Sequence, residues 1–261
     1  MPAVFDISAG RGVRVFRGVT TSVLDPTGGG EELGDLYGEY ISLLMHFNPD
    51  FPVGAVVVYK LDNLLDSSGN DNTLTESGSV VFVPGKSANC AQFDGSSYLG
   101  AGYGVTPSIN PSGSFSVSFW CYPTTLYNYG AFVSANSLDN NGFNIHTSSD
   151  GTLYFNNAQA ADCTLANVFN ANIWHHIVCQ KNAASGKLIV YKNGIKLYEE
   201  NSSQPYGTNL NRITIGGYRY PGTNNSSQPQ IGKIDSVGVW NRILSQEEVL
   251  ALYNSGNGLE P

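Results

Sequence analysis

Apolar and polar side chains alternate with a period of two along much of this chain, which is the period of a β-strand with two unlike faces. In "SFSVSFWCY" (114–122), Phe115, Val117, Phe119 and Cys121 share one face. Ser116, Ser118, Trp120 and Tyr122 share the other. Comparable runs are "AVVVYKL" (55–61), "SVVFV" (79–83), "CAQFDG" (90–95), "GAFVSAN", "GFNIHTS", "GTLYFNN", "IWHHIVCQ", "KLIVYKNGIKLYEE", "RITIGGYRY" and "KIDSVGVW". Turn formers separate them, as in "DSSGNDN" (66–72). Asn193-Gly194 between two β-branched and aromatic runs predicts a type I′ hairpin. About eleven short strands with turn signals between them predict an all-β, two-sheet antiparallel sandwich.

The period changes near the C-terminus. Ser245 is a natural N-cap, and Glu248 three residues on completes a reciprocal capping box. Leu244 and Val249 are placed to staple the entry, Glu247 and Glu248 favour the positive end of the helix dipole, and Gly256 supplies a left-handed stop. A helix this short is marginal alone, so Leu252 and Tyr253 are expected to pack on the sandwich. Residues 1–51 differ from the rest: three arginines, the breaker "PTGGGEELG" (26–34) and an apolar "YISLLMHF" (40–47) suggest an attachment arm or an extra strand. The sandwich is expected over 52–261.

Bulk composition narrows the partners. The 261 residues carry 13 Lys+Arg against 21 Asp+Glu, a net charge of −8, with no basic cluster. Nucleic-acid backbones and anionic membranes therefore have no electrostatic attraction to it. The N-terminus lacks an apolar core of the kind a signal peptide has, and no apolar run is long enough to span a bilayer. Cys90, Cys121, Cys163 and Cys179 lie at wide spacings, three of them inside strand-like runs, which favours buried free thiols over disulfides. Trp120, Trp174 and Trp240 also fall in strand motifs and are assigned to the core.

The segments "VVVYKLDNLLDSSGNDNTLT", "CAQFDGSSYL", "FSVSFWCYP", "IWHHIVCQ", "LIVYKNGIKL", "ITIGG" and "GKIDSVGVWNRILSQEEVLALYNSG" resemble, in order and spacing, the laminin-G-like branch of the concanavalin A-like jelly rolls. The resemblance runs from about 53 to 256. It implies a jelly-roll sandwich closed by a short C-terminal helix. Stand-alone domains of this type with an unrelated N-terminal arm look like bacteriophage virion proteins: tail fibres, baseplate parts or capsid decorations. The implied role is a non-enzymatic structural or adhesion protein that assembles in the host cytoplasm, docks on other virion proteins through its arm, binds host-surface glycan and forms homo-oligomers, trimers among them. A jelly-roll glucanase and a cement protein without ligand are the alternatives.

Candidate chemistry follows two lines. Strict alternation places Asp235 on the face of Val237 and Val239, where a carboxylate needs a partner or a metal. The resemblance implies a structural calcium near this position, for which Asp62, Asp66, Asp71, Asp94 and Asp235 are the candidate ligands. Turn capping is the competing role of Asp66 and Asp71. For carbohydrate, "TLYNYG" (125–130) and "YRYPGTNNSSQPQ" (218–230) set tyrosines beside amides, so Tyr127, Tyr129, Tyr218, Tyr220 and Asn224 are the candidate contacts. His175 and His176 are strand neighbours, point to opposite faces and cannot share a metal. No G-x-S-x-G motif and no E-x-D-x-x-E carboxylate pattern occurs, so no enzyme activity is expected.

Overall fold

The alternation around Phe119 sets the architecture. A computed structural model describes residues 51–101, 109–110, 112–136, 142–157, 161–202, 206, 212–219, 226–227 and 229–259. The expected N-terminal arm, residues 1–51, lies outside them except for Phe51, whose ring meets Trp240 at 5.7 Å. In chain order the strands are β1 (Ala55–Tyr59), β2 (Thr75–Ser77), β3 (Val81–Pro84), β4 (Asn89–Asp94), β5 (Tyr98–Gly100) and β6 (Phe115–Pro123). There follow β7 (Gly130–Asn136), β8 (Phe143–Thr147), β9 (Leu153–Asn157), β10 (Ala161–Leu165), β11 (His175–Asn182), β12 (Lys187–Lys192) and β13 (Ile195–Asn201). The last are β14 (Arg212–Ile215), β15 (Tyr218–Arg219), β16 (Ser226–Ser227) and β17 (Ile231–Trp240), ahead of the helix α1 (Gln246–Tyr253).

Two antiparallel sheets result, as the alternation predicts. One runs β13-β12-β11-β6-β17-β4-β3, with β1 also paired to β17; the other runs β10-β9-β8-β7-β14-β5-β2. The inward faces meet in one core. Val117, Phe119 and Cys121 of the first sheet are buried with Phe132, Val133, Phe143, Ile145 and Phe155 of the second. Rings stack across the gap, Phe119 on Phe132 at 5.6 Å and Phe115 on Phe143 at 5.2 Å. Each buried aromatic side chain contributes roughly 2–3 kcal/mol by leaving water. The Asn193-Gly194 hairpin forms as predicted, with φ of 52° and 79° joining Lys192 to Ile195. All four cysteines are free and buried.

β17 departs from strict alternation. Ile234, Val237 and Val239 are all in the core, and the odd step from 234 to 237 is impossible in a regular strand. Ser236 absorbs it in a bulge at φ 48°, where the pairing with β6 shifts register. Asp235 consequently pairs with Trp120 and faces away from Val237 and Val239, which corrects the expected shared face. It is fully buried on the outer side. The turn between β3 and β4 closes over it. Asp235 Oδ2 accepts the Lys86 amide at 2.7 Å and the Ser87 amide at 3.4 Å, and Oδ1 accepts the Ser236 hydroxyl at 3.2 Å. Gly85 is required for this approach, since a Cβ there would lie 2.5 Å from Asp235 Oδ2.

The outward positions of β6 form cross-strand rows: Gln180–Ser116–Trp240, Val178–Ser118–Gly238, His176–Trp120–Asp235, and then Tyr122–Lys233. Helix α1 covers the first two through Val249 and Leu252, which pack with Trp240 and Val178. The capping box forms as predicted: Ser245 Oγ accepts the Glu248 amide at 3.3 Å, and Glu248 Oε2 accepts the Ser245 amide at 2.8 Å. Arg242 then clasps both Glu248 oxygens at 2.7 and 2.8 Å and donates to Val53 O at 2.8 Å. The helix stops one turn before Gly256. Asn254 takes the left-handed position at φ 47° because its side-chain amide, bonded to Gly258 O at 2.8 Å, supports that conformation. Tyr253 stacks on Trp120 at 5.7 Å and on His176 at 6.1 Å, roofing the third row.

Two outcomes follow. Asp235→Ala strips the Lys86 and Ser87 amides of their acceptor and is expected to cost about 2–3 kcal/mol, read as a lower urea midpoint at unchanged m. Burial holds His146, His175 and His176 below the usual imidazole range, His176 at about 3. A depressed histidine is neutral when folded and takes up a proton on unfolding, so stability falls as pH drops below about 6.5, by about 1.4 kcal/mol per unit for each group, until the folded value is reached. His176→Gln is expected to remove one proton's share of that slope in urea titrations from pH 6.5 to 4.

Candidate functional site

The outer face of the seven-stranded sheet carries polar chemistry in register. Along β8, Phe143 and Ile145 point into the core, so Asn144 and His146 point out. On β9, Leu153 and Phe155 point in, so Tyr154 and Asn156 point out. Pairing lines these up across strands. Asn156, Asn144, Ser134 and Thr214 form one row of amides and hydroxyls, and Tyr154, His146 and Ala131 form the next. Asn144, Ser134, Thr214, His146 and Arg212 are all buried despite lying on the outer side.

His146 organises the edge of this face. Its ring stacks on Tyr154 at 4.8 Å and 5°, and Tyr129 closes over it at 5.6 Å. Nδ1 faces the Thr147 carbonyl at 3.4 Å, which can only accept, so Nδ1 carries the proton. Nε2 then accepts from Asn156 Nδ2 at 3.0 Å. This fixes the Asn156 amide with its Oδ1 buried and unpartnered. Burial keeps His146 below its usual range, against a smaller upward pull from the Thr147 carbonyl.

The loop from β6 to β7 adds the expected tyrosines. Tyr129 is 60% exposed and sits at φ 68°, a strained position for an aromatic residue. Asn128 Oδ1 pins the loop by accepting the Ser149 amide at 3.2 Å and the Ser149 hydroxyl at 3.3 Å. Tyr127 is half-buried; burial pushes its phenol up to about 12, and its hydroxyl has no partner. Beside it lies Gln230, fully buried, whose Nε2 donates to Ile231 O at 3.2 Å while Oε1 stays unpartnered. Gly130 makes the fit possible, because a Cβ there would come 2.7 Å from Gln230 Oε1 and 3.4 Å from the Tyr127 ring. Asn156 Oδ1 is thus a buried polar atom without a partner beside this aromatic stack, while Tyr127 Oη and Gln230 Oε1, also without partners, lie around Gly130.

Sequence reasoning named Tyr127 and Tyr129, which lie in this loop, and did not name His146, Tyr154, Asn156 or Gln230. The alternation in "FNIHT" and "LYFNN" carries the signal for the first three, but only strand pairing shows that they meet. Tyr218 is buried instead of exposed, since β15 folds it against the sheet as it pairs with Ser227. Tyr220 and Asn224 lie outside the described residues.

The five candidate calcium ligands do not converge. Asp66 accepts the amides of Val58, Ser68 and Asn72 at 2.9–3.1 Å, together with the Ser68 hydroxyl and the Asn72 side chain. Burial would raise its pKa, and these bonds outweigh it and lower it. Asp62 accepts the Asn89 amide at 2.6 Å, Asp94 holds the Ser96 and Ser97 hydroxyls, and Asp71 occupies a left-handed turn position at φ 55°. Asp235 is capped by the Lys86 and Ser87 amides. Among the described residues no three His, Cys, Asp or Glu side chains gather as a metal cluster. Asp62, Asp66, Asp94 and Asp235 spend their oxygens on nearby amides and hydroxyls, Asp62 and Asp235 on the same β3–β4 hairpin.

Elsewhere, Ser118 Oγ and His176 Nε2 are 2.9 Å apart, a hydroxyl beside a base. Both are buried beneath Trp120 and Tyr253, and His176 Nδ1 has no partner to orient it. His175 faces the other way, bonded to Asn170 and against Phe169, as opposite strand faces require. Among the described residues no helix is long and apolar enough to cross a membrane.

Known proteins share this architecture. The chain is 25% identical over 244 residues to Paraclostridial mosquitocidal protein 1 of Paraclostridium bifermentans, covering 79% of this chain and 19% of that protein. It is 22% identical over 197 residues to botulinum neurotoxin type X of Clostridium botulinum, covering 72% and 15%. The chain therefore spans less than a fifth of the length of these relatives. Domain 4 of AbnA, a GH43 extracellular arabinanase from Geobacillus stearothermophilus solved in complex with arabinotriose, superposes with a TM-score of 0.58 at 20% identity, over 76% of this chain and 97% of that one. Botulinum neurotoxin type C, whose cell entry depends on interaction with two ganglioside molecules, gives a TM-score of 0.61 at 18% identity, over 77% and 51%. At such identities the likeness establishes the sandwich and leaves function to the site. Residues 93–250, more than half of the chain, match the Laminin_G_3 family, and the chain accordingly belongs to that family of the concanavalin A-like lectin/glucanases superfamily.

Proposed function

We propose that this domain binds carbohydrate without cleaving it, at the Tyr129–His146–Tyr154 stack and the partly exposed Asn156 beside it. One observation carries the reading: aromatic faces and a partnerless acceptor, Asn156 Oδ1, meet in register on one sheet face. A sugar presents apolar C–H faces and a fringe of hydroxyl donors. The first suit the exposed Tyr129 ring, and the second suit Asn156 Oδ1, whose unmet hydrogen bond is costly until a donor arrives. A small number of fixed polar groups beside aromatic surface is the usual make-up of a selective small-ligand site. The arabinotriose bound by the arabinanase domain and the gangliosides used by the type C neurotoxin support a glycan as the ligand class. The prominent acids are engaged elsewhere: Glu199 pairs with Lys187 and Lys196, and Glu248 pairs with Arg242. The virion setting, with residues 1–51 as the attachment arm, rests on the resemblance alone. The relatives named above are toxins and a glycosidase, and adhesion to glycan is the part of the reading they support.

The test is a glycan array followed by calorimetry on the strongest hit. Tyr129→Ala and His146→Ala are each expected to weaken binding about tenfold, the size of a hot-spot truncation. Reducing-sugar release from the same ligand is expected to stay at background. A flat array, or binding that is indifferent to both substitutions, refutes the reading.

A further inference from the structure

The outer face of the other sheet presents four cross-strand rows, and the chain's own helix and C-terminal segment cover three. The fourth is left open among the described residues. Tyr122 of β6 pairs with Lys233 of β17, Lys233 with Gln92 of β4, and Gln92 with Val81 of β3. On its other side Tyr122 meets the ring of Trp174, just before β11, at 5.5 Å and 57°. Trp174 therefore corrects its expected place: Trp120 and Trp240 are buried, while Trp174 and Tyr122 are partly exposed. Lys233 is partly exposed, Gln92 is exposed, and Val81 is 55% exposed.

We propose that this row is a second carbohydrate-binding surface, separate from the Tyr129 site, and that it takes an extended neutral polysaccharide chain lying across the strands. Three features point to that ligand. An indole and a phenol inclined to each other offer rings to the C–H faces of consecutive sugars at one end of the row. Lys233 and Gln92 follow as donors and an acceptor for hydroxyls. The lysine ammonium is steadied 5.8 Å from the Tyr122 ring centroid and 3.5 Å from Pro84 O. The row crosses four strands and is extended by Trp174, a span of about 19 Å at the usual strand spacing, which suits a run of sugar units better than a single residue. The chain as a whole carries a net charge of −8, which disfavours the long-range approach of an acidic polysaccharide. The third row forms the wall along one side, where Tyr253 stacks on Trp120 and Lys86 Nζ lies 4.9 Å over the same ring.

The three tryptophans make the site directly readable, because only Trp174 is open to a collisional quencher. Full-length protein is titrated with hydroxyethylcellulose, linear arabinan and galactomannan, with polygalacturonate as the acidic chain, and acrylamide quenching is followed throughout. At least one neutral chain is expected to shield the tryptophan emission from acrylamide, and polygalacturonate is not. In affinity electrophoresis on that chain, Trp174→Ala and Tyr122→Ala are each expected to weaken binding about tenfold. Trp174→Phe is expected to retain most of it. Near-UV circular dichroism confirms that the variants fold, and the quenching result on the unaltered protein needs no variant. The proposal fails if no neutral chain shields Trp174, if polygalacturonate shields it equally, or if folded Trp174→Ala and Tyr122→Ala bind like the parent. Loss through Tyr129→Ala alone would return the ligand to the first site and also overturn it.

Discussion

The bulge at Ser236 is the constraint on which much else depends. Ile234, Val237 and Val239 must all reach the core, and two-residue alternation cannot satisfy a three-residue step. Putting Ser236 in the left-handed region inserts the missing residue at a local backbone cost that three buried side chains outweigh. Around that point the strand exchanges partners. Its first half pairs with β4 and its second half with β1, while β6 runs along both. The same kink turns Asp235 outward into the Lys86 and Ser87 amides and sends Trp240 beneath the helix. One carboxylate and one aromatic ring, displaced from a regular strand, thus anchor a turn and a helix to the back of the sheet.

The two outer faces differ in chemistry. On the eight-stranded sheet the chain supplies its own cover, as the capped helix buries Val178, Ile189, Tyr191 and Trp240. The Arg242–Glu248 pair ties that helix back to the segment before β1. The charged pair is partly exposed and worth little as Coulomb energy. Its effect is geometric, because the same Glu248 also completes the capping box and so fixes where the helix begins. On the seven-stranded sheet the outward positions are amides, hydroxyls and an imidazole, groups that gain nothing from an apolar lid. A rigid sandwich that keeps polar acceptors in fixed register is suited to recognition, since the ordering has been completed before any ligand arrives.

Much of this was legible in the residues. The period-two runs, the Asn193-Gly194 hairpin and the Ser245–Glu248 box are local signals, each decided within a few residues by backbone sterics or one hydrogen bond. The Tyr127–Tyr129 loop was visible for the same reason, as a turn-rich stretch with aromatic residues between two strands. Trp174 was misplaced because a strand motif shows that a ring lies on a face but not whether anything covers that face. Asp235 was misplaced because alternation assumes a regular strand, and Ser236 announces no bulge by its identity.

Taken alone, then, the order of residues determined the sandwich class, the closing helix and the two-sided character of the strands, because those follow from periodicity and capping over short spans. Only the tertiary structure decided which strands became neighbours. It set Asn156 against His146, Trp174 against Tyr122, and the Gly85–Ser87 turn over Asp235. These contacts join residues that are often far apart in the chain, and their register depends on how two whole sheets fill one core, a condition no local pattern encodes.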